Sequence, residues 1–167
     1  MKQFTVVFPV ARVADKDYIL LGQQALGKPL ADYINGYGGK VEESDSSIED
    51  AAKRELEEEL GMQIEDLTAI GSIVHENKQV FFFLSSVEYI EYDDTLETRN
   101  NSWYELNSQE FIGRMLPGDI EIIEHIREHI EHFWNREEIQ PFRIQKEGSA
   151  ISEAVQKLDE SLLPRMR

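Results

Sequence analysis

The chain has 167 residues, 41% of them hydrophobic, with 33 acidic against 17 basic side chains and a net charge of −16. That size and apolar share fit one ordinary domain with a continuous core, and the lack of cysteine excludes disulfides and thiolate metal sites. So negative a field repels the backbone of DNA or RNA and disfavours a polymeric nucleic-acid partner, while divalent cations can still bridge carboxylates to a small phosphorylated ligand.

The N-terminus lacks the basic leader and long apolar run of a secretory signal, and the densest apolar run, "VFFFL" at 80–84, is strand-sized. The expectation is a soluble cytoplasmic protein with no membrane partner; the oligomeric state stays open. "FTVVFPVARV" (4–13) and "YILLGQQ" (18–24) predict strands around the turn "ADKD". Residues 31–40, "ADYINGYGGK", read as a loop with a turn at Asn35-Gly36. A helix is predicted from Ile48 to Leu60, with Ser46 and Glu49 as its capping box and Gly61 as its stop.

Residues 67–76 and 79–90 predict two further strands, and "SWYEL" (102–106) a short one. Residues 119–134 carry Ile122, Ile123, Ile126, Ile130 and Phe133 at helical spacing. "PFRIQ" (141–145) predicts a late strand, and Ile151, Val155, Leu158 and Leu162 a closing helix. Early strands with long late helices favour an α+β fold with a mixed sheet.

Residues 38–61 hold nine acidic side chains in twenty-four positions. With about 100° of turn per residue, Glu55, Glu58 and Glu59 share one helix face, Glu57 points away, and Ala52, Leu56 and Leu60 form an apolar stripe. Like charges on adjoining turns repel by a few tenths of a kcal/mol per pair, which oxygen-seeking divalent cations offset. Arg54, one turn before Glu58, is placed to hold a carboxylate.

Gly38-Gly39-Lys40, then Arg54-Glu55-Leu56, Glu58-Glu59 and Gly61-Met62 in that order, resemble the Nudix box. The stretch from Arg54 to Met62 matches at every specified position. The preceding loop is one residue longer than the pattern: counting forward from Gly39 gives Asp45, counting back from Arg54 gives Ser46, and Asp45 stands in for the usual Glu. The resemblance implies an α/β/α sandwich around a central mixed sheet, as a single domain over 1–167 with 135–167 as its closing strand and helix. It also implies Mg²⁺, with Mn²⁺ as an alternative, on Glu55, Glu58, Glu59 and the Gly39 carbonyl, where metals neutralise a diphosphate and activate water. Catalysis is then expected from Glu58, Glu55, Arg54 and Glu97, the last also readable as a solvated loop residue.

The flanks, from "LLGQQALGKPLADYINGYGGKVE" (20–42) onward, are similar to the oxidised-purine nucleoside triphosphatases related to MutT. That likeness implies that Asn35 and Asp119 read a purine base and that Gly38 and Lys40 lie on the phosphates. Ordinary readings stand beside these: Asn35 as a turn residue, Asp119 as an N-cap, Lys40 as a surface lysine. This chain has Gly118 where that family pairs two Asp, and Ile34 and Leu116 where it has tryptophan. The implied reaction splits a nucleoside triphosphate, oxidised purines first, into the monophosphate and pyrophosphate. The alternatives are a Nudix hydrolase of ADP-ribose or a dinucleoside polyphosphate, and a sensor without turnover. His125, His129 and His132 flank the late helix among glutamates, where a solvated flank outweighs a Zn²⁺ site. Tyr33, Tyr37 and Trp103 stand open between base stacking and packing.

Overall fold

Alternation along the first strand decides the architecture. In β1 (Lys2–Val13), Phe4, Val6, Phe8 and Val10 join one hydrophobic cluster and Val7 joins another. Successive side chains point to opposite faces of a sheet, so a strand buried on both faces needs cover twice. One cover is α2 (Ile120–Trp134), which brings Ile122, Ile123, Ile126 and Ile130 to the first cluster. The other is α1 (Ile48–Leu60), whose Ala52, Leu56 and Leu60 meet Val7, Leu20 and Phe83. Each buried aliphatic side chain contributes roughly 1.5–3 kcal/mol relative to exposure.

The computed structural model describes residues 1–28 and 30–146. Its other strands are β2 (Lys16–Gln24), β3 (Tyr37–Lys40), β4 (Thr68–His75), β5 (Lys78–Ser86), β6 (Thr98–Glu105) and β7 (Phe142–Lys146). They form a seven-stranded sheet of order β6-β2-β1-β5-β4-β7, with β3 paired to β1 off that path. The sheet is mixed: β1 runs parallel to β5 and β4 parallel to β7, while the other pairings are antiparallel. The fold is therefore α+β with a helix on each face of a mixed sheet, the class expected from the sequence. No helix among the described residues is long and apolar enough to cross a membrane.

Several predicted boundaries shift. The segment read as a loop through Lys40 ends in β3, because Gly38 and Gly39 let two backbones approach closely. A Cβ on Gly38 would sit 1.7 Å from the Thr5 carbonyl oxygen of β1. The cap of α1 is Ser47, not Ser46: the extended backbone at Ser47 lets its hydroxyl accept from the Asp50 N–H at 3.0 Å. Gly61 closes the same helix in the left-handed conformation, φ 72°, its N–H on the Glu57 carbonyl at 2.8 Å. β6 begins at Thr98, four residues before the predicted strand. The helix expected around Ile151, Val155, Leu158 and Leu162 lies outside the described residues.

The β1–β3 contact admits a direct check. Gly38→Ala is expected to destabilise the fold by about 3 kcal/mol, the upper range for overpacking, because the carbonyl it meets is backbone. Urea unfolding reads this, and a midpoint equal to wild type would show that the strands are not held so closely.

Candidate active site

α1 presents its acids unequally. Glu55 and Glu59 are 2% and 1% exposed, whereas the Glu58 side chain is 52% exposed. The shared face expected from helical spacing therefore divides into two carboxylates turned against β3 and one at the rim. Glu57 is exposed, as its position on the helix requires. Glu59 Oε1 accepts from the Gly38 N–H at 3.0 Å. Gly39 lies against Glu55 so closely that an added Cβ would be 2.5 Å from its carboxylate carbon.

Arg54 ties the cluster together. Its guanidinium binds Asp45 through two bonds, Nε to Oδ1 at 2.9 Å and Nη2 to Oδ2 at 3.0 Å. Nη2 also donates to the Lys40 carbonyl at 3.0 Å, while Nη1 reaches Glu55 Oε1 at 2.9 Å and Glu58 Oε1 at 3.3 Å. A planar fork suits this task, since it satisfies several oxygens in fixed geometry. The hydrogen bonds from Arg54 hold the Asp45 carboxyl below its ordinary value, helped by the Glu42 N–H at 2.8 Å. Arg54 is in turn raised, first by its bonds to Asp45. Asp45 thus occupies the Arg-supporting position despite the longer loop.

All-oxygen donors suit a hard divalent cation, and Glu55, Glu58 and Glu59 provide them next to the Gly39 backbone. As they stand, no group of three or more His, Asp or Glu among the described residues is arranged to hold a metal ion. The reason is visible: Arg54 Nη1 contacts both Glu55 and Glu58, and Glu59 faces Gly38. The donor set fits the ion chemically.

The remaining predicted residues spread around this centre. Glu97 points to Lys28 at 3.9 Å rather than to α1. Its chain neighbours reach the helix instead: Thr95 and Thr98 hydroxyls each donate to the Glu59 carbonyl at 2.8 Å. Lys40 ends β3 half-buried, its carbonyl on Arg54. Asn35 is 8% exposed, exchanges backbone hydrogen bonds with Gly22, and its Oδ1 accepts from the Gly36 N–H at 2.7 Å. Asn35 therefore sits in an isolated β-bridge with Gly22 rather than in the expected turn.

Asp119 occupies the N-cap position of α2, as the ordinary reading expected, but it is 2% exposed and its side chain makes no cap bond. Its Oδ2 is buried with no hydrogen-bond partner, and desolvation pushes the carboxyl up to about 7. The Ile34 N–H on the Arg114 carbonyl at 3.0 Å brings the Asn35 loop against the turn that leads to Asp119.

The aromatic candidates all take part in packing. Tyr37 is fully buried with its hydroxyl on Asn101 Oδ1 at 2.8 Å, and Trp103 packs between Tyr89 and Tyr92 with its Nε1 on the Ile90 carbonyl. Tyr33 packs half-buried on the α2-side cluster. His125 and His129 stack at 4.1 Å, with His125 also edge-on to Phe142. A cavity of about 700 Å³ opens beyond the C-terminal end of α1, but its charged lining is acidic, from Glu65, Asp66, Glu88, Glu91, Asp93 and Asp94. Such walls repel a polyphosphate, and none of the α1 metal candidates lines them.

Residues 2–125 match the NUDIX domain family. The chain is 39% identical over 70 residues to the oxidized purine nucleoside triphosphate hydrolase of Mus musculus, a stretch covering 42% of this chain and 44% of the mouse protein. The chain thus spans less than half of that relative's length. Among solved structures it is similar to the NUDIX domain of Shewanella oneidensis NrtR complexed with ADP ribose, at TM-score 0.64 and 16% identity over 77% of this chain and 87% of that one. It is also similar to a C. elegans Ap4A hydrolase, at TM-score 0.63 and 19% identity over 81% and 99% of the two chains. At those identities the likeness shows the fold.

The Asp45–Arg54 pair sets a pH expectation. Because the folded Asp45 lies below its ordinary 3.8, its contribution to stability is present above that value and lost as pH falls through the folded value. Asp45→Asn should cost about 2 kcal/mol at pH 7, the scale of hydrogen bonds to a charged group. Urea melts at pH 7 and near pH 3 check it: the gap from wild type should narrow at the lower pH, and a constant gap would remove the charge argument.

Proposed function

The chain belongs to the Nudix family, and from that premise we propose that it is a divalent-cation-dependent pyrophosphohydrolase that splits nucleoside triphosphates, oxidised purine nucleotides first among them, into the monophosphate and pyrophosphate. The observation that carries the reading is Arg54, which joins Asp45, Glu55 and Glu58 at one guanidinium beside the Gly38-Gly39 backbone. A helix of acids held this way is organised for a ligand rather than merely solvated. Glu55, Glu58, Glu59 and the Gly39 carbonyl would hold Mg²⁺ or Mn²⁺, which when bound neutralises the polyphosphate and lowers the pKa of the attacking water.

The chain's own groups do the rest. Water attacks phosphorus, its oxygen forms the new P–O bond, and the bond between the α and β phosphates breaks with the electron pair leaving on pyrophosphate. Glu58, the most exposed of the three acids, takes the water's proton. Arg54 keeps Glu55 and Glu58 oriented, and the Gly38-Gly39 strand sets their depth.

Support for a purine comes from Asp119 and Asn35. A buried carboxyl oxygen without a partner is costly, and N–H groups on a base edge would satisfy it. The matched stretch of the mouse relative points the same way. ADP-ribose and dinucleoside polyphosphates remain the competing substrates, favoured by the likeness to the NrtR domain and the Ap4A hydrolase.

A panel of oxidised and plain nucleoside triphosphates, ADP-ribose and dinucleoside polyphosphates with Mg²⁺, scored by products, tests the proposal. Pyrophosphate release from purine triphosphates is expected; turnover confined to the other substrates, or none at all, would overturn it. Glu58→Gln should lose orders of magnitude in kcat while Tm stays within about 2 °C of wild type, since the side chain is half exposed. Normal turnover in that variant would remove Glu58 from the mechanism.

Asp119 gives a second expectation. Its folded value of about 7 exceeds the ordinary 3.8, so the folded state holds the proton more tightly and stability falls as pH rises between those values. Asp119→Asn should therefore gain stability over wild type at pH 8 and lose that advantage near pH 4. The same variant should flatten any change in purine preference across pH 7; a profile identical to wild type would separate Asp119 from the base.

A further inference from the structure

β6 does not pair evenly with β2. Leu21 faces Ser102 and Gln23 faces Arg99, so the single residue Gly22 opposes both Asn100 and Asn101. Asn100 completes this bulge in the left-handed conformation, φ 54°, with its N–H on Asp94 Oδ1 at 2.8 Å. Bulges re-aim side chains, and this one turns Arg99 toward the segment that links β2 to β3. Gly22 is also the residue that exchanges backbone hydrogen bonds with Asn35, at 2.9 and 3.0 Å. A Cβ there would lie 2.2 Å from Asn101 Oδ1 and 2.7 Å from the Tyr37 hydroxyl.

Arg99 divides its fork between the end of β2, at Gln23 and Gln24, and the linking segment, at Ala31. Nε donates to the Gln24 carbonyl at 3.2 Å, Nη1 to Gln23 Oε1 at 3.2 Å, and Nη2 to the Ala31 carbonyl at 3.0 Å. Gln23 extends the lock, receiving Asn100 Nδ2 at 2.7 Å and donating to the Asp32 carbonyl at 3.0 Å. One more backbone bond, Ala25 N–H to the Glu97 carbonyl at 3.0 Å, fastens the start of the segment. On its other side β6 reaches α1 through Thr95 and Thr98, both on the Glu59 carbonyl. One guanidinium therefore stands between the segment carrying Asn35 and the strand clamped to the acidic helix.

We propose that Arg99 is a positioning residue for nucleoside recognition: it ties Ala31, on the stretch leading to Asn35, to the end of β2 and the bulged start of β6, so that Asn35 and the carboxylates of α1 share one frame. The proposal rests on the pyrophosphohydrolase reading. All three guanidinium nitrogens of Arg99 are engaged by protein oxygens, which suits a role in positioning. Lysine cannot replace it, since an ammonium offers charge without a fork that spans three acceptors.

The test compares the full chain with Arg99→Ala and Arg99→Lys, by amide hydrogen exchange and by kcat and KM for 8-oxo-dGTP and dGTP with Mg²⁺. In both variants the amides of Ala31 and Asn35 should exchange about tenfold faster while those of α1 do not change. KM for the preferred purine nucleotide should rise about tenfold with kcat within about twofold, and the preference between the two nucleotides should shrink. Unchanged exchange and KM in the alanine variant would overturn the proposal. So would full recovery by lysine, or a fall in kcat alone, which marks a general structural role. Should wild type hydrolyse neither nucleotide, the functional reading fails separately, and the exchange measurement still decides whether Arg99 fixes the segment.

Discussion

The structure turns on how closely two glycines let β3 approach its neighbours. On one side Gly38 lies against the β1 backbone at Thr5; on the other Gly39 lies against the Glu55 carboxylate, and the Gly38 N–H reaches Glu59. Any side chain at either position would push the strand away from β1 or the helix away from the strand. Without that proximity α1 could still bury Ala52, Leu56 and Leu60 on the sheet, but its acids would face water rather than a backbone edge. The apolar stripe attaches the helix, and the glycines decide how deep its charges sit.

Depth creates an electrostatic problem that Arg54 solves. Glu55 and Glu59 are nearly excluded from solvent, and burying uncompensated carboxylates costs several kcal/mol each. Glu55 receives the guanidinium and Glu59 a backbone N–H; Asp45, from outside the helix, takes the opposite edge of the guanidinium and stops it from swinging out. The arrangement leaves Glu58 as the exposed member at the rim. A set with two fixed carboxylates and one exposed carboxylate is better suited to gripping and releasing a charged ligand than three equally buried ones.

Elements specified by local pattern were legible in the sequence. Both helices followed from apolar spacing, and β1, β2, β4, β5 and β7 from β-branched and aromatic runs. The Arg54–Asp45 contact was legible too, through motif spacing with one residue inserted. Features that arise between distant segments were not. β3 holds two glycines with no strand propensity and exists only because β1 lies beside it. The cap moved by one residue because Ser46 and Ser47 are equally suited to the role and only the entry angle of the chain selects Ser47. Asp119 takes the cap position, but nothing local shows that its side chain is buried there without a cap bond. Arg99 carried no signal, since its partners Gln24 and Ala31 lie some seventy residues away in sequence and are bound through carbonyls that every residue has.

The same distinction fits a fold shared at 16–19% identity with a domain complexed with ADP ribose and with an Ap4A hydrolase. On the proposed reading the chemistry rests on α1, β3 and the loop bearing Asp45, all braced by a sheet covered on both faces. Selection of the group attached to the phosphates would then fall to segments that are not braced in this way: the stretch from Leu30 to Asn35, the turn from Ile112 to Asp119, and the connection preceding β6. Each of these is held by side-chain hydrogen bonds or a few backbone contacts rather than by a ladder, so its residues can change without disturbing α1. In this chain Ile34 and Leu116 fill the cluster where the two segments meet, and they bring apolar volume but no hydrogen-bonding group. On the proposed reading, polar discrimination in that region would concentrate on Asn35 and Asp119, and two polar side chains can specify a base only if the segments bearing them keep a constant separation.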